Sequence, residues 1–500
     1  MTTRSELNVV EMLESTELEP GLERLWGHFA DIAKIPRDSG HENEIASHII
    51  LFAQERELSH EVDEYGNILI EIPGTKGHES TPGIVLQAHL DMVCLGKPDP
   101  GIHGVRPRID GSGEWMTADT TLGADNGIGV AAILALIDES IPHGPLAFIL
   151  TRTEETGLVG ARRMAFANKL DTYKYLVNLD SEDEGELTIS SAGAGDTALL
   201  LPVVLEPISD KKIVSIQLRN LMGGHSGVVI GEGRLNGIKV MTSVLRDLLD
   251  KQGIGSLISI NSGEKRNAIP SSAEALLALK PQDIETLRSA VLDIRENLRG
   301  QALHPQEKAL ELTISDVHPT GDHQAMTRES ATHMLSLLSS LPDGLMKWSE
   351  DVPGLPQTST NLAIVKTADQ GVEIEMMSRS SVFDELEALR EKIAAVATSH
   401  GASVEQSEAY SGWPADPKNP LIRITSDEWK TLTGCEIKIV TTHGGLECGV
   451  ITGKYPELRA ISIGPTIKKA HEEGEMVHIA SVTRFYSLVK QIVSRMGSPS

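Results

Sequence analysis

Basic residues, cysteines and aromatics are all scarce in this chain. Its 500 residues hold 45 lysines and arginines against 71 aspartates and glutamates, a formal net charge of −26. Nucleic-acid binding needs a concentrated basic surface to neutralise phosphates, so the balance argues against that class of function. The three cysteines, Cys94, Cys435 and Cys448, include no CxxC pair and are too scattered for a disulfide framework, which points to a reducing cytoplasm. Aromatics make up 3% of the chain, so its cores are expected to be aliphatic. No stretch approaches the roughly 20 apolar residues that span a membrane. The amino terminus, MTTRSELNVVEMLES, lacks the apolar segment of a signal peptide. These absences predict a soluble cytoplasmic protein with neither membrane nor nucleic acid as partner.

What is present is an apolar fraction of 40% and 45 glycines, enough for real cores and many tight turns. The length exceeds what one core usually sustains, so two or three domains are expected. Apolar spacing predicts helices over Leu22–Ala33, Glu42–Arg56 and Asn126–Glu139, and short buried strands over Ile84–Gln87, Leu146–Leu150 and Tyr173–Leu179. Continuous apolar strands separated by helices indicate an α/β sheet covered on both faces. Gly96–Gly123 shows little periodicity and reads as a long, functional loop. After about Ser190, alternating strands and amphipathic helices suggest one or two α+β sandwiches, and buried α/β character returns from Trp413. The expected organisation is residues 1–190 and 413–500 as an α/β domain interrupted by an α+β domain at 191–412.

Chemistry-bearing residues gather at the ends of the apolar strands. His89 and Asp91 stand two apart where one strand ends, and share a face if the extended conformation persists. His89 is then a candidate metal ligand, with Asp91 accepting a proton from the other ring nitrogen to fix the tautomer. Asp125, in LGADNG, fits a ligand as well as a helix cap. Glu154 and Glu155 follow the Leu146–Leu150 strand, and adjacent buried carboxylates repel unless a cation or a proton is shared. Asp180 directly follows YLVNL, and His471 follows Gly464-Pro465 and two lysines. In open parallel sheets, ligands bind beyond the carboxyl ends of the strands. One Asp able to bridge, further carboxylates and two imidazoles suit a pair of borderline ions, zinc first, with cobalt or manganese as alternatives.

Eight phrases carry a resemblance over essentially the full length: QAHLDMV, LGADNGIG, TRTEETGLVGA, NLDSEDEGE, GGHSG, NAIP, HGGLECG and GPTIKKAH. With them the sequence resembles the aminoacyl-histidine dipeptidases, or cytosolic non-specific dipeptidases, of the M20 group of co-catalytic zinc peptidases. That resemblance implies a two-domain fold, a catalytic α/β sheet domain interrupted by a lid that mediates homodimerisation. It assigns His89 and Asp180 to one metal, Glu155 and His471 to the other, and Asp125 as the bridge. Glu154 would be the general base and Asp91 the orienter of His89. His225 in GGHSG would reach the substrate carbonyl, from its own subunit or the partner's, a choice the sequence does not make. Asn267 and Arg379 would meet substrate backbone or carboxylate, and Glu447 in HGGLECG the free amine. After His471 the chain reads Glu472-Glu473-Gly474-Glu475, where many relatives carry Ser-Pro-Asp-Glu. The implied activity is hydrolysis of unblocked dipeptides, with Xaa-His substrates such as β-alanyl-histidine among the candidates. The alternatives are an N-acyl amino acid deacylase or carboxypeptidase of the same group, or a non-catalytic interaction protein, which would be expected to lack Glu154 or a ligand.

Overall fold

The computed structural model describes Val9 and residues 21–209, 211–317, 324–350 and 352–497, so all but one residue of the polar amino terminus lies outside it. The chain forms two compact units. The first comprises the chain up to Ser191, Trp413–Thr441 and Leu446 onward; the second comprises Ala192–Gly412 together with Thr442–Gly445.

The first unit is built on an eight-stranded sheet in the order Ser59–Val62, Ile68–Ile72, Leu146–Thr151, Gly83–His89, Tyr173–Asn178, Arg459–Ser462, Glu186–Ser191 and Lys438–Thr442. The strands from Leu146–Thr151 to Arg459–Ser462 run parallel, and antiparallel pairs flank them. Gly83–His89 is buried along its whole length, as an apolar run must be in a sheet with helices on both faces. The helix Ala124–Ile137 is buried nearly all round. Leu22–Ala33 instead turns one face inward, with Leu25, Trp26, Phe29 and Ile32 fully buried.

Register brings the carboxyl ends of the parallel strands to one edge, with His89 level with Thr151 and Gln87 level with Asn178. The long loop before Asp125 contributes the strands Arg108–Ile109 and Trp115–Thr117 to a small four-stranded sheet, whose other members are Ile467–Lys468 and Met476–His478. Those last two pair as a hairpin, Lys468 opposite Met476, with His471 in its connection. This small sheet brings two loops that lie about 350 positions apart in the sequence to the same strand ends.

Where the sequence suggested one or two sandwiches, the second unit is built on a single nine-stranded sheet, with two two-stranded ribbons beside it. Its strand pairs are antiparallel. Val214, Ile216 and Leu218 alternate onto one face and join a core with Ile238, Met241, Leu287, Leu335, Leu338 and Ile393 from four helices. The strands Pro356–Ala368 and Gly371–Ser380 carry buried polar groups where they pair, including Thr358, Ser359, Thr360, Ser378 and Arg379.

Candidate metal centre

His89 closes the central strand with a side chain 1% exposed. Its Nε2 lies 3.0 Å from Asp125 Oδ1 and 3.2 Å from Asp180 Oδ1. On the other side of Asp125, His471 Nε2 lies 3.1 Å from Oδ2 and 2.8 Å from Glu155 Oε1. The two oxygens of Asp125 therefore divide the cluster into two trios, one with His89 and Asp180, the other with His471 and Glu155. Donor atoms of His89, Asp125 and Glu155 all fall within 4.8 Å of one another.

Several groups hold this geometry. Asp91 Oδ1 is 3.4 Å from His89 Nδ1. Its carboxylate also accepts the backbone N–H of Glu154 at 2.9 Å and of Glu155 at 3.2 Å, and the Ser39 hydroxyl at 2.8 Å. This carboxylate thus seats both glutamates, and it faces His89 Nδ1 together with the Asp91 backbone carbonyl, which lies nearer at 3.1 Å. Thr153, just before that pair, has φ +55°, a strained conformation for a β-branched residue. Buried Glu42 secures it by accepting the Thr153 N–H at 3.0 Å and hydroxyl at 2.9 Å. Asn126 donates to Leu179 O at 2.8 Å and to Asp180 Oδ1. Arg37, buried, donates to the carbonyls of Leu90, Asp91 and Gly123.

The turn after His471 is fixed by its last residue. Glu475 is 2% exposed, and its Oε2 accepts the N–H groups of Leu122 at 2.7 Å and Gly123 at 2.8 Å. Its Oε1 accepts those of Ala124 at 2.8 Å and Asp125 at 3.3 Å. The loop bearing His471 is thereby tied to the loop bearing Asp125. His471 itself has φ +61° and Lys469 φ +57°, left-handed backbone at non-glycine residues.

The electrostatics describe a cluster short of positive charge. Burial works to lower the His89 pKa, but the charge of Asp180 and hydrogen bonds donated to Asp125, Asp180 and Asp91 lift it well above its ordinary value. Hydrogen bonds to Asp125 and Glu155 raise His471 to about 11. Burial, with the charge of Asp125, raises Asp180 to about 7. Burial also raises Glu154 well above the carboxylate range, helped by Asp180, Glu447 and Glu155. A divalent cation among these donors would offset the same excess of negative charge. Two donors bound at about 2.1 Å to one ion stand roughly 3.0–3.4 Å apart, which matches the His89–Asp125, His89–Asp180 and His471–Asp125 spacings, with His471–Glu155 closer at 2.8 Å. The donor set fits a divalent metal on these two grounds.

The remaining candidates lie elsewhere. Glu447 is fully buried beneath the strand ends, with Oε2 accepting from Thr151 Oγ1 at 2.7 Å and from Gln87 Nε2. This departs from the expectation that it meets a substrate amine: neither oxygen reaches solvent, and one is already engaged. Cys94 fits an inert thiol, pushed up to about 12 by burial and Asp38. In the second unit, His225 and Asn267 come side by side on a short ribbon, with His225 opposite Ala268 and the Ser226 N–H donating to Asn267 O at 2.8 Å. Arg379 is 6% exposed, donates to His443 O at 3.3 Å, and leaves Nε without a partner. Burial and the charge of Arg379 lower the His225 pKa. Sequence reasoning missed Glu42, Arg37, Glu475 and His443. Of these only Glu475 carried a signal, as the glutamate that also ends the relatives' Ser-Pro-Asp-Glu.

Residues 67–208 match the family model described as Peptidase family M28, and residues 216–304 the Peptidase dimerisation domain of M20 proteins. The chain is 36% identical over 493 residues to the cytosol non-specific dipeptidase of Escherichia coli (strain K12), covering 97% of this chain and 99% of that protein. Among solved structures it is similar to the aminoacylhistidine dipeptidase of Vibrio alginolyticus, at 32% identity and a TM-score of 0.88, covering 96% of this chain and 97% of the other. The aminopeptidase PepT of Bacillus cereus ATCC 10987 shares the fold at 17% identity and a TM-score of 0.54, covering 95% and 99% of the respective chains.

Proposed function

Since this chain belongs to the M20 metallopeptidases, in the family of the cytosol non-specific dipeptidases, we propose that it is a cytosolic, metal-dependent dipeptidase that cleaves the peptide bond of unblocked dipeptides. The observation that carries the reading is the division of donors around Asp125 into two trios. His89 and Asp180 would hold one ion, His471 and Glu155 the other, and Asp125 both, with zinc the first choice and cobalt or manganese the alternatives. From divalent cations in these donor sets would come the Lewis acidity that lowers the proton affinity of a water and offsets charge on a carbonyl oxygen.

The chain's own residues supply the rest. Glu154, with its backbone seated by Asp91 and its carboxyl raised by burial, is poised to take the proton of an attacking water and later to give one to the leaving amine. Asp91 keeps the proton of His89 on Nδ1 and so leaves Nε2 free as a donor of electrons. His225 is held neutral by burial and Arg379, which suits an N–H donor to the carbonyl oxygen as charge develops there. Arg379, a buried guanidinium with no carboxylate partner among the described residues, would pair with the substrate's free carboxylate. Asn267, beside His225, would contact substrate backbone. The catalytic domain is then 1–190 with 413–500, and 191–412 a lid through which the chain forms homodimers, as the match to a dimerisation domain supports.

The test is a panel of dipeptides, including β-alanyl-histidine and cysteinyl-glycine, set against N-acyl amino acids and longer peptides. Preference for unblocked dipeptides is expected. Preference for N-acyl amino acids would make the protein a deacylase, and cleavage of longer peptides a carboxypeptidase.

A further inference from the structure

Residues Thr442–Gly445 pack with the second unit although the chain on either side belongs to the first. At the centre of this short insertion is His443, 6% exposed. Its ring and its carbonyl do different things. The ring Nε2 is 2.7 Å from Ser359 Oγ, and the ring also interacts with the Pro356 backbone. The carbonyl accepts from Arg379 Nη1 at 3.3 Å. Ser359 and Arg379 are register partners across the antiparallel pair Pro356–Ala368 and Gly371–Ser380, so their side chains share one face of the sheet. A single inserted residue therefore links the two.

The same carbonyl lies against the turn that carries His225. A Cβ placed on Gly227 would stand 2.9 Å from the His225 ring and 3.3 Å from His443 O, so glycine is what lets these groups approach. On the sheet face shared by Ser359 and Arg379, Asn361 donates to the carbonyls of Arg266 and Ala268 at 3.1 and 2.8 Å, fixing the backbone on both sides of Asn267. His443 thus touches Arg379 and the turn beside His225, while Asn361, two residues along the strand from Ser359, supports the backbone around Asn267.

We infer that His443, with Ser359, is the positioning pair that aims the Arg379 guanidinium and so sets the enzyme's selectivity for substrates with a free carboxylate. The inference rests on the reading of Arg379 as the carboxylate partner. Two observations carry it. Arg379 makes no ion pair among the described residues, and its Nε is buried without a partner, so a carboxylate is the missing group and the direction of the fork matters. The other is that the pair must be uncharged to do this. Burial and the neighbouring guanidinium hold His443 down to about 3, so the neutral ring pairs with the Ser359 hydroxyl and adds no positive charge beside Arg379.

The experiment compares kcat/KM for a dipeptide with that for its carboxyl-terminal amide, in the metal-loaded enzyme and in the variants Arg379→Ala, His443→Ala, Ser359→Ala and Ser359→Thr. The wild type is expected to prefer the free acid. Arg379→Ala should abolish that preference. His443→Ala and Ser359→Ala should lower it about tenfold, chiefly through KM for the acid, with kcat for the amide little changed, and Ser359→Thr, which restores a hydroxyl, should recover it. Undiminished preference in His443→Ala and Ser359→Ala, with Arg379→Ala abolishing it, overturns the positioning role alone. Undiminished preference in Arg379→Ala overturns the carboxylate reading and the inference with it.

Discussion

Removing the Glu475 carboxylate should loosen the whole rim of the metal centre, although Glu475 is not itself assigned to a metal. Four backbone N–H groups, from Leu122 to Asp125, point at its two oxygens, and no donor of its own is needed there. Burial and the charge of Asp125 push its carboxyl up to about 7 against the opposing pull of the N–H donors, and the ionised carboxylate is the form that satisfies all four donors. Each hydrogen bond to a charged group contributes about 1.5–3 kcal/mol, and buried donors left bare cost about 1–3 kcal/mol each. Water entering the space vacated in Glu475→Ala would restore part of this, leaving a net loss of about 3–5 kcal/mol. Glu475→Gln keeps one accepting oxygen but turns an NH2 toward two donors, so it should lose more than half as much. Four of the five tryptophans, Trp26, Trp115, Trp413 and Trp429, lie in the first unit. Urea unfolding of metal-free protein followed by tryptophan fluorescence therefore reports mainly on it. Zinc titration should show weaker binding in both variants. A Glu475→Ala protein within about 1 kcal/mol of wild type, with unchanged zinc affinity, would refute the reasoning.

Glu154→Gln should bind dipeptide with a Kd near that of wild type while kcat falls by at least about 10²-fold, the usual contribution of a positioned general base; isothermal titration and steady-state assays check both. Asp91→Ala should lower kcat even where elemental analysis shows full metal content, because His89, Glu154 and Glu155 all lose their support. His443 gives a pH signature. With a folded pKa near 3 against 6.5 when unfolded, its contribution to stability is complete above pH 6.5 and is lost as pH falls toward 3. Between pH 7 and 4.5 that amounts to about 2.5 kcal/mol, so in the metal-free state the stability of His443→Gln should fall less over this range than that of wild type, by denaturant unfolding at each pH.

Part of the candidate metal centre was legible because His89, the Glu154-Glu155 pair and Asp180 stand at or just past the ends of apolar strands, whereas Asp125 opens a helix and His471 lies in a hairpin connection. The strand read over Ile84–Gln87 runs Gly83–His89, and the one over Leu146–Leu150 runs to Thr151. The supports were not legible. Glu42, Arg37 and Glu475 act on backbone N–H and carbonyl groups of loops remote in sequence, and backbone groups leave no residue pattern to read. Glu447 illustrates the opposite error: a glutamate in a glycine-rich stretch reads as accessible, yet Gln87 and Thr151 from two central strands hold it in the interior. The strands Glu186–Ser191 and Gly193–Leu201 escape periodicity because Ser and Gly interrupt the alternation. The helix Pro420–Thr433 had a usable signal, Asn419 capping Leu421 ahead of a first-turn proline.

The central claim is that hydrolysis depends on divalent ions held by the two trios around Asp125. Its most direct test is elemental analysis of dialysed protein in parallel with dipeptide hydrolysis. The account predicts that activity disappears as a strong chelator strips the metal, and returns with zinc, cobalt or manganese as occupancy approaches two ions per chain. Full activity in protein shown to be free of metal would contradict it.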